Sequence, residues 1–182
     1  MTKEIIMENK QDIENQILER LNQRPEVHLF VQEVILLISQ AIDKLMLKVF
    51  RKDDYAVKYA VEPLLTGNGP LGDLSVRLKL LFALGAITRE TYEDIELFLA
   101  LNDSLAYQEL KLDYIDDEII GSIKMLHCMG PLPEMMRFDQ PEDMVDKQLI
   151  DLQKQRYQQM VKSSLVLSVA DLIAQILETD VF

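Results

Sequence analysis

The chain has 182 residues, 48% hydrophobic and 27% charged, with a formal net charge of −12. That length suits one domain, residues 1–182, with one sizeable core, and the lone cysteine, Cys128, excludes an intrachain disulfide and points to a reducing cytoplasm. Glu4, Glu8, Asp12, Glu14 and Glu19 interrupt the stretch where a secretory leader needs an apolar run. The longest segment without a charged side chain, Pro63 to Gly72, is too short and too rich in glycine and proline to cross a bilayer, so no membrane contact is expected.

Apolar residues Ile6, Ile13, Ile17 and Leu21 recur at helical spacing and predict a first helix within residues 1–25 that packs on the core. Arg24-Pro25 interrupts it, and Pro25 suits the first turn of the next helix, roughly Glu26 to Phe50. With Val34-Ile-Leu-Leu-Ile38 inside it, that helix is apolar on nearly every side and should be central and buried, Leu36 included. A third helix should start at Asp53 or Asp54 and weaken at Glu62-Pro63. Asp73 is a good N-cap for a fourth, which ends at Gly85 and buries Leu80. Thr88 caps a fifth that runs past residue 100. Asp116-Asp117-Glu118 opens a sixth, closing near Gly130. Prolines and Met135-Met136 make an irregular connection before a last helix from about Asp143 to Glu178. The apolar stripe of this last helix either closes the core or forms a homodimer seam. The fold class is all-α: one compact domain of about seven helices.

Charge is unevenly spread. From Lys44 to Arg89 the chain nets +4, whereas Glu90 to Glu118 nets −9. Two candidate partner surfaces follow. One is the basic middle, with Arg51, Lys52, Asp53, Asp54, Lys58 and Arg77. The other is an acidic docking surface of Glu90, Glu93, Asp94, Asp116, Asp117 and Glu118. Helix-surface pairing is the competing explanation for several of these: Asp54, Lys58 and Glu62 lie at successive i,i+4 spacings, Asp73 sits four residues before Arg77, and Tyr55 and Tyr59 stack at i,i+4.

Three motifs invite chemistry and fail on context. Gly67-Asn-Gly-Pro-Leu-Gly72 matches G-x-G-x-x-G, but a helix precedes it, Pro70 removes a donor and no parallel sheet is in prospect. A helix–helix connection whose glycines supply positive φ is the better reading. His127-Cys128 are neighbours that do not face each other on a helix, and no metal-ligand spacing surrounds them, so Cys128 reads as a small hydrophobe. Leu74–Leu84, Gly85–Thr88 and the segment from Arg89 have a helix–turn–helix outline, yet the second helix would carry Glu90, Glu93, Asp94 and Glu96 into a groove flanked by phosphates. Catalytic, cofactor-binding and metal-binding residues: none is assigned.

The run Phe50-Arg-Lys-Asp-Asp-Tyr-Ala-Val-Lys-Tyr-Ala-Val-Glu-Pro-Leu-Leu65, followed by Gly69-Pro-Leu-Gly-Asp-Leu-Ser-Val-Arg-Leu-Lys-Leu80, resembles the mannitol operon repressor family of bacteria. Gln155-Arg-Tyr-Gln-Gln159 and Leu165-Val-Leu-Ser168 carry the likeness into the last helix. The resemblance implies a wholly helical repressor of mannitol uptake and oxidation genes. An enzyme is not expected, because the sequence offers no nucleophile with its base and no metal cluster.

The first expected mechanism is repression by protein contact with a transcription factor, a polymerase subunit or a sugar-phosphotransferase component, because an acidic face attracts a basic partner and raises its on-rate. The second is direct operator binding by a dimer that concentrates Lys44, Lys48, Arg51, Lys52 and Lys58. The net charge opposes it, since DNA affinity comes largely from cations displacing counterions. A third is a sensor holding a phosphorylated hexitol near Lys58 or Arg77.

Overall fold

The computed structural model describes residues 2–50, 55, 57–107, 111–134 and 147–180. Among these residues the secondary structure is helical: α1 Thr2–Asn22, α2 Val27–Val49, α3 Glu62–Leu65, α4 Leu74–Ala83, α5 Arg89–Tyr107, α6 Asp117–Lys124 and α7 Lys147–Glu178, with a π-helical turn at Val57–Val61 ahead of α3.

α2 is the centre. Its residues Phe30, Val31, Val34, Leu37, Ile38, Ala41, Ile42, Leu45 and Met46 are buried, and it packs against α1, α4, α5 and α7. Not every apolar position faces inward, however. Leu36 is 48% exposed, against the expectation of burial. Five apolar residues in a row subtend more than one full helical turn, so a neighbour-packed helix must still turn one of them to water. Leu80 on α4 is half-buried against the core.

The core cluster draws on α1 (Ile17, Leu21), α2, α4 (Leu78, Leu81), α5 (Ile95, Phe98), α6 (Ile119, Ile123) and α7 (Val161 to Ile176). Tyr114, in the connection before α6, meets Phe30 edge-on with ring centroids 5.9 Å apart. Its hydroxyl donates to the Arg24 carbonyl, 3.3 Å away.

Helix ends follow the capping chemistry read from the sequence. Asp73 accepts from the Ser75 N–H at 2.8 Å, and the Thr88 hydroxyl accepts from the Thr91 N–H at 3.2 Å. Gly85 has φ +71°, the left-handed conformation that closes α4 at least cost. Pro25 falls just before the α2 N-cap, Glu26, and not inside the first turn. α6 stops at Lys124, short of Gly130. Asp53, Asp54 and Asp143 lie outside the described residues.

One local reading is sharpened and another corrected. The helix expected to weaken at Glu62-Pro63 changes form there, and Pro63 occupies the first turn of α3. Having no N–H, it cannot bond the carbonyl four residues back, and the preceding turn widens into the π form. The Gly67–Gly72 connection does not depend on positive φ, which among the described glycines is found at Gly85. Close approach is what it needs: a Cβ on Gly69 would run into the Pro63 and Leu64 carbonyls, and one on Gly72 would sit 2.6 Å from the Thr66 oxygen.

α7 divides into two parts. From Val161 to Ile176 its inner side is buried, closing the core as one of the two expected readings. Leu149 and Leu152, in its first turns, are exposed. By length and composition the helix could cross a membrane, but its apolar half is part of the core cluster.

Candidate interaction surfaces

α5 and α6 carry the acidic surface, and the structure sorts its residues into two kinds. Glu90 and Asp117 are exposed. Glu93 accepts from Arg89 Nε at 2.6 Å and lies 2.8 Å from His127 Nε2, and these hydrogen bonds, Arg89 first, hold its carboxyl below the usual carboxylate range. Glu118 accepts from the Ser104 hydroxyl at 3.2 Å, joining α6 to α5.

Asp94 and Asp116 do different work. Asp94 was expected on the docking surface but is only 2% exposed. Its two carboxylate oxygens accept the His127 N–H at 2.6 Å and the Cys128 N–H at 2.8 Å, tying the segment after α6 to α5. A buried carboxylate is tolerable because both oxygens are hydrogen-bonded. Asp116 turns back to accept the Asp113 N–H at 2.6 Å, stiffening the entry to α6.

The basic middle is thinner on the surface than in the sequence. Arg51, Lys52, Asp53 and Asp54 lie outside the described residues. Arg77 was expected as a partner-binding cation paired with Asp73. Instead it is buried between α4 and α2, in an ion pair with Asp43 and 3.4 Å from the Ser39 hydroxyl, and desolvation lowers its pKa from the ordinary guanidinium value. Asp73 is occupied in capping, so the i,i+4 pair does not form. Lys48 is also committed: its Nζ donates to the Leu177 carbonyl at 2.6 Å and the Thr179 carbonyl at 3.0 Å, neutralising the negative end of α7. Lys44, Lys58 and Lys79 remain exposed.

Sequence reasoning caught the Tyr55–Tyr59 pair, with ring centroids 4.7 Å apart, but missed how exposed both rings are, Tyr59 on the π turn and Tyr55 ahead of it. Lys58 Nζ lies 5.5 Å from the Tyr59 ring centroid. It also missed Glu33, a buried carboxylate on α2 that receives Arg20 and Arg24 together. The signal was present as an acid inside an apolar helix, a position that demands a cation.

The thiol of Cys128 is pushed up to about 12 by burial and by the nearby Asp94, so at neutral pH it is a protonated hydrophobe and no nucleophile. No group of acids, histidines and cysteine suited to a metal ion occurs among the described residues.

This arrangement of helices is similar to that of MtlR in the X-ray structure of the MtlR–HPr complex from Escherichia coli, with a TM-score of 0.86, 49% identity, and coverage of 91% of this chain and 99% of that one. It is also similar to YggD from Shigella flexneri, described as a possible transcriptional regulator, with a TM-score of 0.73, 25% identity, and coverage of 90% and 98%. These likenesses place the fold in a class of all-helical bacterial regulators. The mannitol repressor family model matches residues 13–177, and the mannitol operon repressor of Escherichia coli is 50% identical over 170 residues, 93% of this chain and 85% of that protein. The chain belongs to the mannitol repressor family. A more distant relative, 27% identical over 164 residues (90% of this chain, 96% of the relative), is the Escherichia coli protein named Fumarase E.

Proposed function

We infer that this cytoplasmic protein represses a mannitol operon by docking on a protein, and that its partner is a phosphotransferase component of the HPr kind. The observation that carries the reading is the 49% identical relative seen in complex with HPr. The charge distribution supports it. Glu90, Glu93, Asp117 and Glu118 leave α5 and α6 with an anionic surface suited to a basic partner. Direct operator reading is the weaker alternative, because Lys48 of the expected basic patch is spent on the carbonyls at the end of α7.

Titration calorimetry with purified HPr tests this. Glu90→Lys with Asp117→Lys should weaken binding by about tenfold and flatten its salt dependence. Unchanged binding in that double variant would move the docking face elsewhere, and no binding by the parent protein would overturn the partner. Operator-specific retardation in a gel at low salt would overturn repression by protein contact. The chain is read as non-catalytic despite its Fumarase E relative. Fumarate consumption followed by its ultraviolet absorbance should stay at the buffer rate, and turnover would refute this part.

A further inference from the structure

A groove of about 100 Å³ opens where α1, α2 and α7 meet. Ile17, Leu37 and Ile173 contribute to its apolar floor, and its polar lining is Gln16, Arg20, Gln40 and Lys44, two cations and two amides without a carboxylate. In a chain of net charge −12 such a lining is anomalous, and a concave cationic site in an anionic surround concentrates small anions.

The cations are also held in readiness. Glu33 grips Arg20 from one edge, with Nε 2.7 Å and Nη2 2.6 Å from Oε1, while Nη1 points to the groove side and reaches the Gln40 side-chain oxygen at 3.3 Å. Because Arg24 shares the same carboxylate, two cations are set against one anion beside the groove, and Glu33 does not fully offset Arg20. Lys44 is exposed at the rim and has no ion-pair partner among the described residues. The carboxamides of Gln16 and Gln40 both donate and accept, which matches hydroxyl groups better than an alkyl chain.

We propose that this groove binds a small phosphate monoester carrying hydroxyls, a polyol or sugar phosphate, with the phosphate on Lys44 and Arg20 and the hydroxyls on Gln16 and Gln40. A site of this volume takes the phosphorylated end of such a molecule and leaves the remainder at the open mouth. The groove is separate from the α5–α6 surface, so the assignment does not depend on protein docking there.

The test uses the full chain and calorimetry, with mannitol 1-phosphate, mannitol and inorganic phosphate as probes. Mannitol 1-phosphate should bind and raise the melting temperature at millimolar concentration, mannitol should not, and inorganic phosphate should bind about tenfold more weakly. Lys44→Ala should weaken mannitol 1-phosphate by about tenfold, while Lys79→Ala, a cation exposed on α4, should leave it unchanged. No heat and no thermal shift would overturn the site. Equal binding of inorganic phosphate would overturn the ligand class. Equal effects of the two lysine variants would show attraction to overall charge and overturn the location. Shifts of the Gln16 and Gln40 side-chain amide signals on titration are the expected NMR readout, and their absence beside measurable heat would count against the groove.

Discussion

Asp94 shows how one carboxylate holds two parts of a helical protein together. It accepts two backbone N–H groups from His127 and Cys128, which have no helix of their own to satisfy them. Asp94→Ala leaves both part-buried donors without this partner and should cost about 1–3 kcal/mol in urea denaturation. Glu93, one residue earlier, is held below its usual range by Arg89 and then His127. Since its folded pKa lies below its unfolded one, its stabilising contribution is present above the unfolded carboxylate pKa of about 4.3 and fades as pH falls through the lower folded value. The stability gap between the parent and Glu93→Gln should therefore narrow on acidification through that range. A constant gap would show that the Arg89–Glu93–His127 contacts do not hold in solution.

At the scale of elements, the Gly67–Gly72 connection and α2 yield separate predictions. Gly69→Ala drives a methyl group into the Pro63 and Leu64 carbonyls, which are backbone and cannot swing aside. A loss of about 1–3 kcal/mol is expected by chemical denaturation. On α2, Ile38→Ala should cost about 2–5 kcal/mol and Leu36→Ala under about 1 kcal/mol, because Ile38 is fully buried and Leu36 half in water. That contrast marks what the sequence makes legible. Caps announce themselves through single residues with specific chemistry, and Asp73, Gly85 and Thr88 stand where their side chains or backbones require. The rotation of an almost uniformly apolar helix is not written in its own residues. It is decided by which neighbours arrive, so Leu36 could not be told from Leu37. Pro63 was expected to weaken the helix, and the form this takes, a widened turn before it and a short α3 after it, was not legible.

For the whole molecule, the surface charge is not the sum of the sequence charge. Arg77, Lys48 and Asp94 read as candidates for partner contact, or as part of a basic patch, yet each is paired with a group far away in the chain. Spacing along a helix shows which face a charge shares, but not whether another helix lies over that face. The crowding of like charges from Glu90 to Glu118 was legible, but not that Asp94 and Asp116 are turned to backbone N–H groups while Glu90 and Asp117 stay exposed. The groove between α1, α2 and α7 was not legible, since its polar lining comes from positions up to twenty-eight residues apart and part of its floor from a helix beyond residue 160.

Lys48 reaches carbonyls at Leu177 and Thr179, 129 and 131 positions further on. The inner side of α2 is sealed over the same span by Val161 to Ile176. During synthesis, α2 therefore emerges long before this part of its cover does, and the side of it that α7 seals must wait exposed while more than a hundred residues are added. Such long-range closure makes folding slow and the incomplete chain adhesive. Lys48→Met should make the finished protein open faster, as read by the unfolding limb of stopped-flow kinetics. A nascent chain arrested before residue 160 should be bound by chaperones until the last helix is released.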